Sequence, residues 1–282
     1  MATIEHTLND SATKLAESGI EAARFEAELL LGHVLGRDRA HLRAWGERVL
    51  SDAEHDRFRA LIKRRVNGEP MAYIMGEKEF WSLRLRVSPA TLIPRAETEL
   101  LVEQALARIP VDAQWCLADL GTGTGAIALA LAKERPRCRI IAIDASAAAL
   151  DVAQTNVQAQ GPDNVELRLG IWFDSLTEHY CDVIVSNPPY IREGDIHLEQ
   201  GDVRFEPRSA LVAGKDGLDA LRIIIAAAPA YLRAGGWLLV EHGYDQADEV
   251  AALFRASGFS MVAGYTDLGG QARITAGQWP EN

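Results

Sequence analysis

The sequence predicts an α/β protein: a Rossmann-like, seven-stranded sheet, mostly parallel with an antiparallel last hairpin, behind a small N-terminal helical bundle. Three observations predict it. Apolar, β-branched strands alternate with helical segments from residue 115 to residue 256, the pattern of a parallel sheet covered on both faces. Residues 259–277 read as two more strands joined by a turn, with no helix between them. Residues 4 to 67 carry helical periodicity alone.

In chain order, Ile4, Leu8 and Leu15 open the helical pattern, and Phe25, Leu29, Leu30 and Val34 continue it after a break at Gly19. Ser51-Asp52-Ala53-Glu54 has the form of a capping box ahead of Phe58, Leu61, Ile62 and Val66. A bundle with no chemical motif suits recognition, so residues 1–68 are expected to be a helical substrate-docking domain. Across residues 69–94 the texture changes. Leu83, Leu85 and Val87 alternate with Arg84 and Arg86, which predicts a β-hairpin linker with one wet face. The third domain is expected over 95–282, with strands at 115–119, 138–143, 164–169, 181–186 and 236–241. Its helices fall near 97–109, 124–134, 146–160, 217–233 and 245–256.

Composition narrows the function. The net charge of −11 divides unevenly: 12 Lys/Arg against 14 Asp/Glu over residues 1–80 (−2), and 17 against 26 over 81–282 (−9). Phosphate-gripping proteins gain affinity from Lys and Arg, so an acidic second half argues against DNA as partner. The basic run Arg57, Arg59, Lys63, Arg64, Arg65 reads as a solvated helix face. No stretch approaches the roughly 18 apolar residues of a membrane helix, so no membrane partner is expected. The acidic, amphipathic N-terminus lacks the features of a signal or transit peptide, so a cytoplasmic location is expected. Cys116, Cys138 and Cys181 show no C-x-x-C spacing, and no metal site is expected.

The chemistry sits at strand ends. Asp119-Leu120-Gly121-Thr122-Gly123-Thr124-Gly125 links the first strand of the large sheet to a helix opening at about Thr124. Such glycines let backbone N–H groups approach a ligand closely. The next strand ends in Asp144, whose carboxylate can accept hydrogen bonds from both hydroxyls of a ribose. Capping the following helix is its bland alternative, and Ser146 could do that instead. Trp172, beyond the third strand, could border an adenine ring or simply pack in the core. Glycine loop and acid together suit an adenosine-containing ligand without separating a nicotinamide cofactor from S-adenosyl-L-methionine.

Asn187-Pro188-Pro189-Tyr190 makes that separation. It follows the fourth strand, at the rim where open α/β sheets bind ligands. The Asn187 side chain and the Pro188 backbone offer two carbonyl acceptors for both hydrogens of a substrate –NH2, and Tyr190 offers a wall for a planar group. The nitrogen lone pair is then free to meet a methyl. Asn187, Pro188 and Tyr190 are the candidate catalytic residues.

These motifs, in this order, resemble class I S-adenosylmethionine-dependent methyltransferases of the amino-methylating type. With EPMAYIMGEKEFWSLRLRVSPATLIPRAETE and QGDVRFEPRSAL, essentially the whole chain resembles the bacterial release factor glutamine methyltransferase family. The resemblance implies a methyltransferase sheet and methylation of the side-chain amide of the glutamine in the Gly-Gly-Gln motif of peptide chain release factors 1 and 2. S-adenosyl-L-homocysteine would be the product and a monomer the working form. Gly121, Thr122, Gly123, Thr124, Gly125, Asp144, Trp172 and Asn187 would contact the cofactor, and Asn187, Pro188, Pro189 and Tyr190 would hold the glutamine. Ala96 stands where the family has proline, which loosens the loop after Arg95. Arg204, Phe205 and Glu206 are expected at the substrate mouth. The chain's own Gly269-Gly270-Gln271 is expected to be a hairpin turn. The competing reading is an adenine-N6 nucleic-acid methyltransferase, which faces the same exocyclic NH2 problem but is disfavoured by the acidic balance.

Overall fold

The computed structural model describes residues 2–177 and 180–281. Tertiary contacts divide the chain into two units, Met1–Gly76 with Glu199–Phe205, and Glu77–Leu198 with Glu206–Asn282.

The first unit is helical: α1 (Ile4–Glu17), α2 (Ala23–Leu35), α3 (Arg39–Ala44), α4 (Asp52–Val66) and α5 (Met71–Met75). Thr3 and Asp38 cap α1 and α3, and Ser51 and Glu54 close a reciprocal capping box on α4. Ile4, Leu8, Leu15, Leu30, Leu31 and Phe58 fill the core. The inward face of α2 differs from the expected one. Ala23, Ala27, Leu30 and Leu31 are buried, while Phe25 is exposed beneath the Arg39 guanidinium, 4.5 Å from its ring centroid. Small alanines, not the largest apolar residue, make the contact face. Arg64 pairs with Glu69, and Arg65 with Glu26 at 2.6 Å and Asp202 at 3.3 Å, so part of the basic run is consumed in ion pairs. Helix also continues further than the sequence texture suggests: Tyr73 and Ile74 are buried on α5.

The hairpin therefore occupies only β1 (Glu77–Phe80) and β2 (Leu83–Arg86) and belongs to the second unit. Its two-residue turn holds Trp81 and Ser82 at φ 52° and 55°, values that most side chains avoid. Trp81 is anchored there by its backbone N–H donating to Glu99 Oε1 at 2.7 Å and its indole N–H to Glu134 Oε1 at 3.0 Å.

After α6 (Glu99–Leu106) come β3 (Cys116–Leu120), α7 (Ala126–Glu134), β4 (Arg139–Asp144), α8 (Ala147–Gln160), β5 (Val165–Leu169) and β6 (Cys181–Ser186). Then follow α9 (Asp219–Ala227), β7 (Leu232–Glu241), α10 (Ala247–Ala256), β8 (Ser260–Thr266) and β9 (Ala272–Gln278). The seven-stranded sheet runs β5-β4-β3-β6-β7-β9-β8. All pairs are parallel except those of β9 with β7 and β8. Alternate strand residues point to opposite cores, Leu117, Ile140 and Val183 to the side of α6, α7 and the hairpin, and Ala118, Ile141 and Ile184 to that of α9 and α10. All six residues of β6 are buried, the apolar Val183, Ile184 and Val185 together with Asp182 and Ser186. The Gly269-Gly270-Gln271 stretch is the β8–β9 turn, with Asp267 Oδ1 accepting from the N–H groups of Gly269 and Gln271 at 2.9 Å each. Among the described residues no helix is long and apolar enough to cross a membrane.

Candidate active site

The strand order reverses between β3 and β6, and the glycine-rich loop leaves β3 at that switch point. Gly121, Gly123 and Gly125 all hold positive φ, at 75°, 56° and 81°. At Gly121 a Cβ would stand 3.4 Å from the Trp172 ring, an ordinary contact, so it is the positive φ that favours glycine there. The N–H groups of Gly121 and Thr122 donate to the Ile143 carbonyl at 2.8 and 2.9 Å, pinning the loop to β4. Asn156, fully buried, braces the loop from α8 by donating to the Thr124 carbonyl at 2.9 Å, and it bridges the backbone of Arg86 as well. The helix begins at Ala126 with Gly125 as its cap, two residues beyond the expected start.

Asp144 faces the same loop. One carboxylate oxygen accepts from Gly123 N–H at 2.8 Å and the other from Ser146 N–H at 2.8 Å. Ser146, not Asp144, caps α8 through the Ala149 N–H. The acid is thus held by backbone donors at the cavity wall. Asp119, one strand over, is fully buried and accepts from the Thr122 hydroxyl at 2.6 Å. Burial pushes its carboxyl up to about 7, against the pull of Thr122, and the Asp144 charge adds to the rise.

Trp172 sits at φ 50°, a left-handed conformation that a bulky residue adopts only when its surroundings impose it. It packs partly buried against the α9–α10 side of the sheet and presents itself to the cavity.

At the end of β6 the Ser186 hydroxyl donates to the Leu120 carbonyl at 2.7 Å, so the two strand ends that carry the motifs are tied together. Asn187 follows, half-buried, and its Nδ2 donates to Thr98 Oγ1 at 3.1 Å. Tyr190 donates its hydroxyl to Glu241 Oε1 at 3.2 Å, and its carbonyl accepts from Gln246 Nε2 at 3.1 Å. Burial and the Glu241 carboxyl raise the Tyr190 phenol far above its ordinary range, so it stays protonated and its hydrogen is available to Glu241. Glu241, ending β7, is itself buried, which lifts it to about 7.

A cavity of about 360 Å³ joins these pieces, within the size range of small-molecule sites. Gly121, Thr122, Gly123, Thr124, Asp144, Trp172, Asn187 and Pro189 line it. Gly125, Pro188 and Tyr190 are not among its lining residues; Pro188 is buried, and Tyr190 packs toward the α9–α10 side. Sequence reasoning missed the opposite wall, formed by Ala90, Thr91, Leu92 and Pro94 together with Pro207, Ser209 and Ala210. Glu206 joins those two segments: its Oε1 accepts from Ile93 N–H at 2.9 Å and its other oxygen pairs with Arg95. Glu206 is therefore a buried clamp behind the wall, while Arg204 and Phe205 belong to the helical unit. The same clamp holds the segment ahead of Ala96, which opens the 3-10 turn Ala96–Thr98 without the family's proline. Thr98 and Glu241 also escaped notice, although an acid closing the apolar run of β7 at the ligand-binding edge was a usable signal.

Two family models match the chain: the PrmC N-terminal domain over residues 6–76 and the Methyltransferase small domain over 96–203. The release factor glutamine methyltransferase of Pseudomonas aeruginosa is 52% identical over 279 residues, covering 99% of each chain. That of Xylella fastidiosa strain 9a5c is 52% identical over 257 residues, 91% of this chain and 94% of its own. A methyltransferase crystal structure from Pyrococcus furiosus shares the fold at a TM-score of 0.53 and 17% identity, covering 77% of this chain and 97% of that one.

Proposed function

Since this chain belongs to the release factor glutamine methyltransferase family, we propose that it methylates the side-chain amide nitrogen of the glutamine in the Gly-Gly-Gln motif of peptide chain release factors, with S-adenosyl-L-methionine as methyl donor. The observation that carries this reading is the placement of Asn187 on the same cavity wall as the glycine loop and Asp144.

The residues fit the donor. Asp144 offers carboxylate acceptors suited to a ribose, the positive-φ glycines leave room for close approach of an adenosine, and Trp172 offers a flat apolar border. S-adenosyl-L-methionine, when bound, supplies an electrophilic methyl on a sulfonium. The protein's own work concerns the acceptor nitrogen. A carboxamide nitrogen is a poor nucleophile because its lone pair is delocalised into the carbonyl. With Nδ2 committed to Thr98, the Asn187 Oδ1 is the atom left to accept one substrate N–H, and the Pro188 carbonyl is the second acceptor. Two fixed acceptors favour a pyramidal nitrogen carrying partial positive charge, so they stabilise the transition state more than the planar ground state. Holding that nitrogen in line for attack adds the advantage of positioning. The nitrogen becomes acidic only as the new bond forms, so its proton leaves late, to solvent water, and no strong base is required.

The test uses methyl-labelled S-adenosyl-L-methionine and three acceptors: a release factor, its Gly-Gly-Ala variant, and ribosomal RNA. Label on the release factor that disappears with the glutamine is the expected result. Label on RNA alone would overturn the protein substrate and leave the acceptor geometry standing.

A further inference from the structure

We infer that Glu241 is a positioning residue that, through Thr98, decides which way the Asn187 amide faces and, directly, where Tyr190 stands. The inference rests on the function proposed above and adds a residue to it.

A carboxamide can be turned over without changing its shape, so its orientation is set by its partners. The partner here is Thr98, buried, whose hydroxyl has one hydrogen to give and lone pairs to receive with. Glu241, fully buried, ends β7, the strand beside β6. The Thr98 and Tyr190 hydroxyls both stabilise its charged form, although Oε2 keeps no partner of full hydrogen-bond geometry among the described residues. An ionised carboxylate only accepts, so it draws the Thr98 hydrogen toward itself. The Thr98 oxygen is then left to receive, and what it receives is the Asn187 N–H. The Asn187 carbonyl is thereby turned away from Thr98, as an acceptor for a substrate –NH2. Remove the charge and the chain of donors can run backwards: Thr98 donates to the Asn187 carbonyl, and the Asn187 NH2 meets the substrate NH2, donor against donor. The Tyr190 hydroxyl on Oε1 fixes the second edge of the motif from the same carboxylate. Arg273 and Glu97 also act on Glu241, the first favouring its charge and the second opposing it.

The test is Glu241→Gln, which keeps the size and removes the charge, with Thr98→Val as the second variant. In Glu241→Gln the kcat for methyl transfer is expected to fall about 10- to 100-fold, the effect of one hydrogen bond to a charged group, while S-adenosyl-L-methionine affinity stays within about twofold. The parent's kcat should rise with pH through about 7, where Glu241 ionises, and that limb should shrink in the variant to whatever Asp119, which also titrates near 7, contributes. Parental turnover with the parental pH profile would overturn the inference, and so would a loss of cofactor affinity matching the loss of kcat. A readout independent of turnover is the pair of Asn187 side-chain N–H resonances in nitrogen-15-labelled full-length protein. They should titrate near pH 7 in the parent with a shift several times larger than in either variant, where Asp119 alone or an unlinked Glu241 still ionises. Resonances that ignore pH in the parent, or titrate alike in the variants, would overturn the inference even if no release factor were labelled, a result that would instead sink the proposed substrate.

Discussion

Asn187 and Asp144 line one cavity, and single substitutions test whether the proposed acceptor and cofactor roles divide between them. Asn187→Ala removes an acceptor that matters most at the transition state, so methyl transfer should fall about 10²- to 10³-fold, the size seen when one such group is deleted. Cofactor affinity, measured by calorimetry, should change far less. Near-parental turnover would remove Asn187 from the chemistry. Asp144→Ala should do the reverse: cofactor binding weakens about 10- to 100-fold, since hydrogen bonds to a charged group are lost, and saturated turnover changes less. Unchanged affinity would show that the carboxylate merely braces Gly123 and Ser146.

Among the elements, the hairpin turn carries strain that one substitution can relieve. Ser82 is exposed at φ 55°, and a side chain in that region costs about 1–2 kcal/mol, so Ser82→Gly should raise Tm with methylation unaffected. A lower Tm would mean that the serine side chain contributes more than its conformation costs. Most of the elements are legible in the sequence. The capping box of α4 lies where Ser51 and Glu54 place it, and β6 is the segment 181–186 that the apolar run marks. The errors have a shared cause. In α2 the pattern of large side chains pointed Phe25 inward, but close packing against α1 selects alanines for the contact. In residues 71–75 a short apolar run has no decisive period, and only the burial of Tyr73 and Ile74 makes it helical.

For the whole molecule, two buried acids tie stability to pH. Asp119 and Glu241 are both raised to about 7 by burial, above the ordinary carboxyl values that the unfolded chain keeps. The folded form then holds protons the unfolded form has released. Their contribution is fully present below about pH 4, lost as pH rises through 7, and constant beyond. Glu241→Gln should therefore gain stability relative to the parent as pH climbs from 5 to 8, by urea midpoint, while it loses turnover. A constant difference across that range would refute the shift. The helical unit carries none of the residues that line the cavity. Deleting residues 1–68 should weaken binding of the release factor and leave cofactor affinity nearly unchanged; equal loss of both would deny the unit a docking role.

Local chemistry was enough to mark the glycine loop, Asp144 and Asn187 as candidates that share one cavity, because each depends on residue types a few positions apart: positive φ, a strand-end acid, an amide before two prolines. The partners that orient them could not be read that way. Thr98, Asn187 and Glu241 are separated by 89 and 54 positions and meet only because β6 and β7 are neighbours in the sheet and the turn before α6 folds beside their ends. The wall closed by Glu206 has the same origin, since Ile93 and Glu206 lie 113 residues apart. Hydrogen bonds of that reach leave no period or spacing in the chain, and the direction in which the Asn187 amide faces was settled by folding alone.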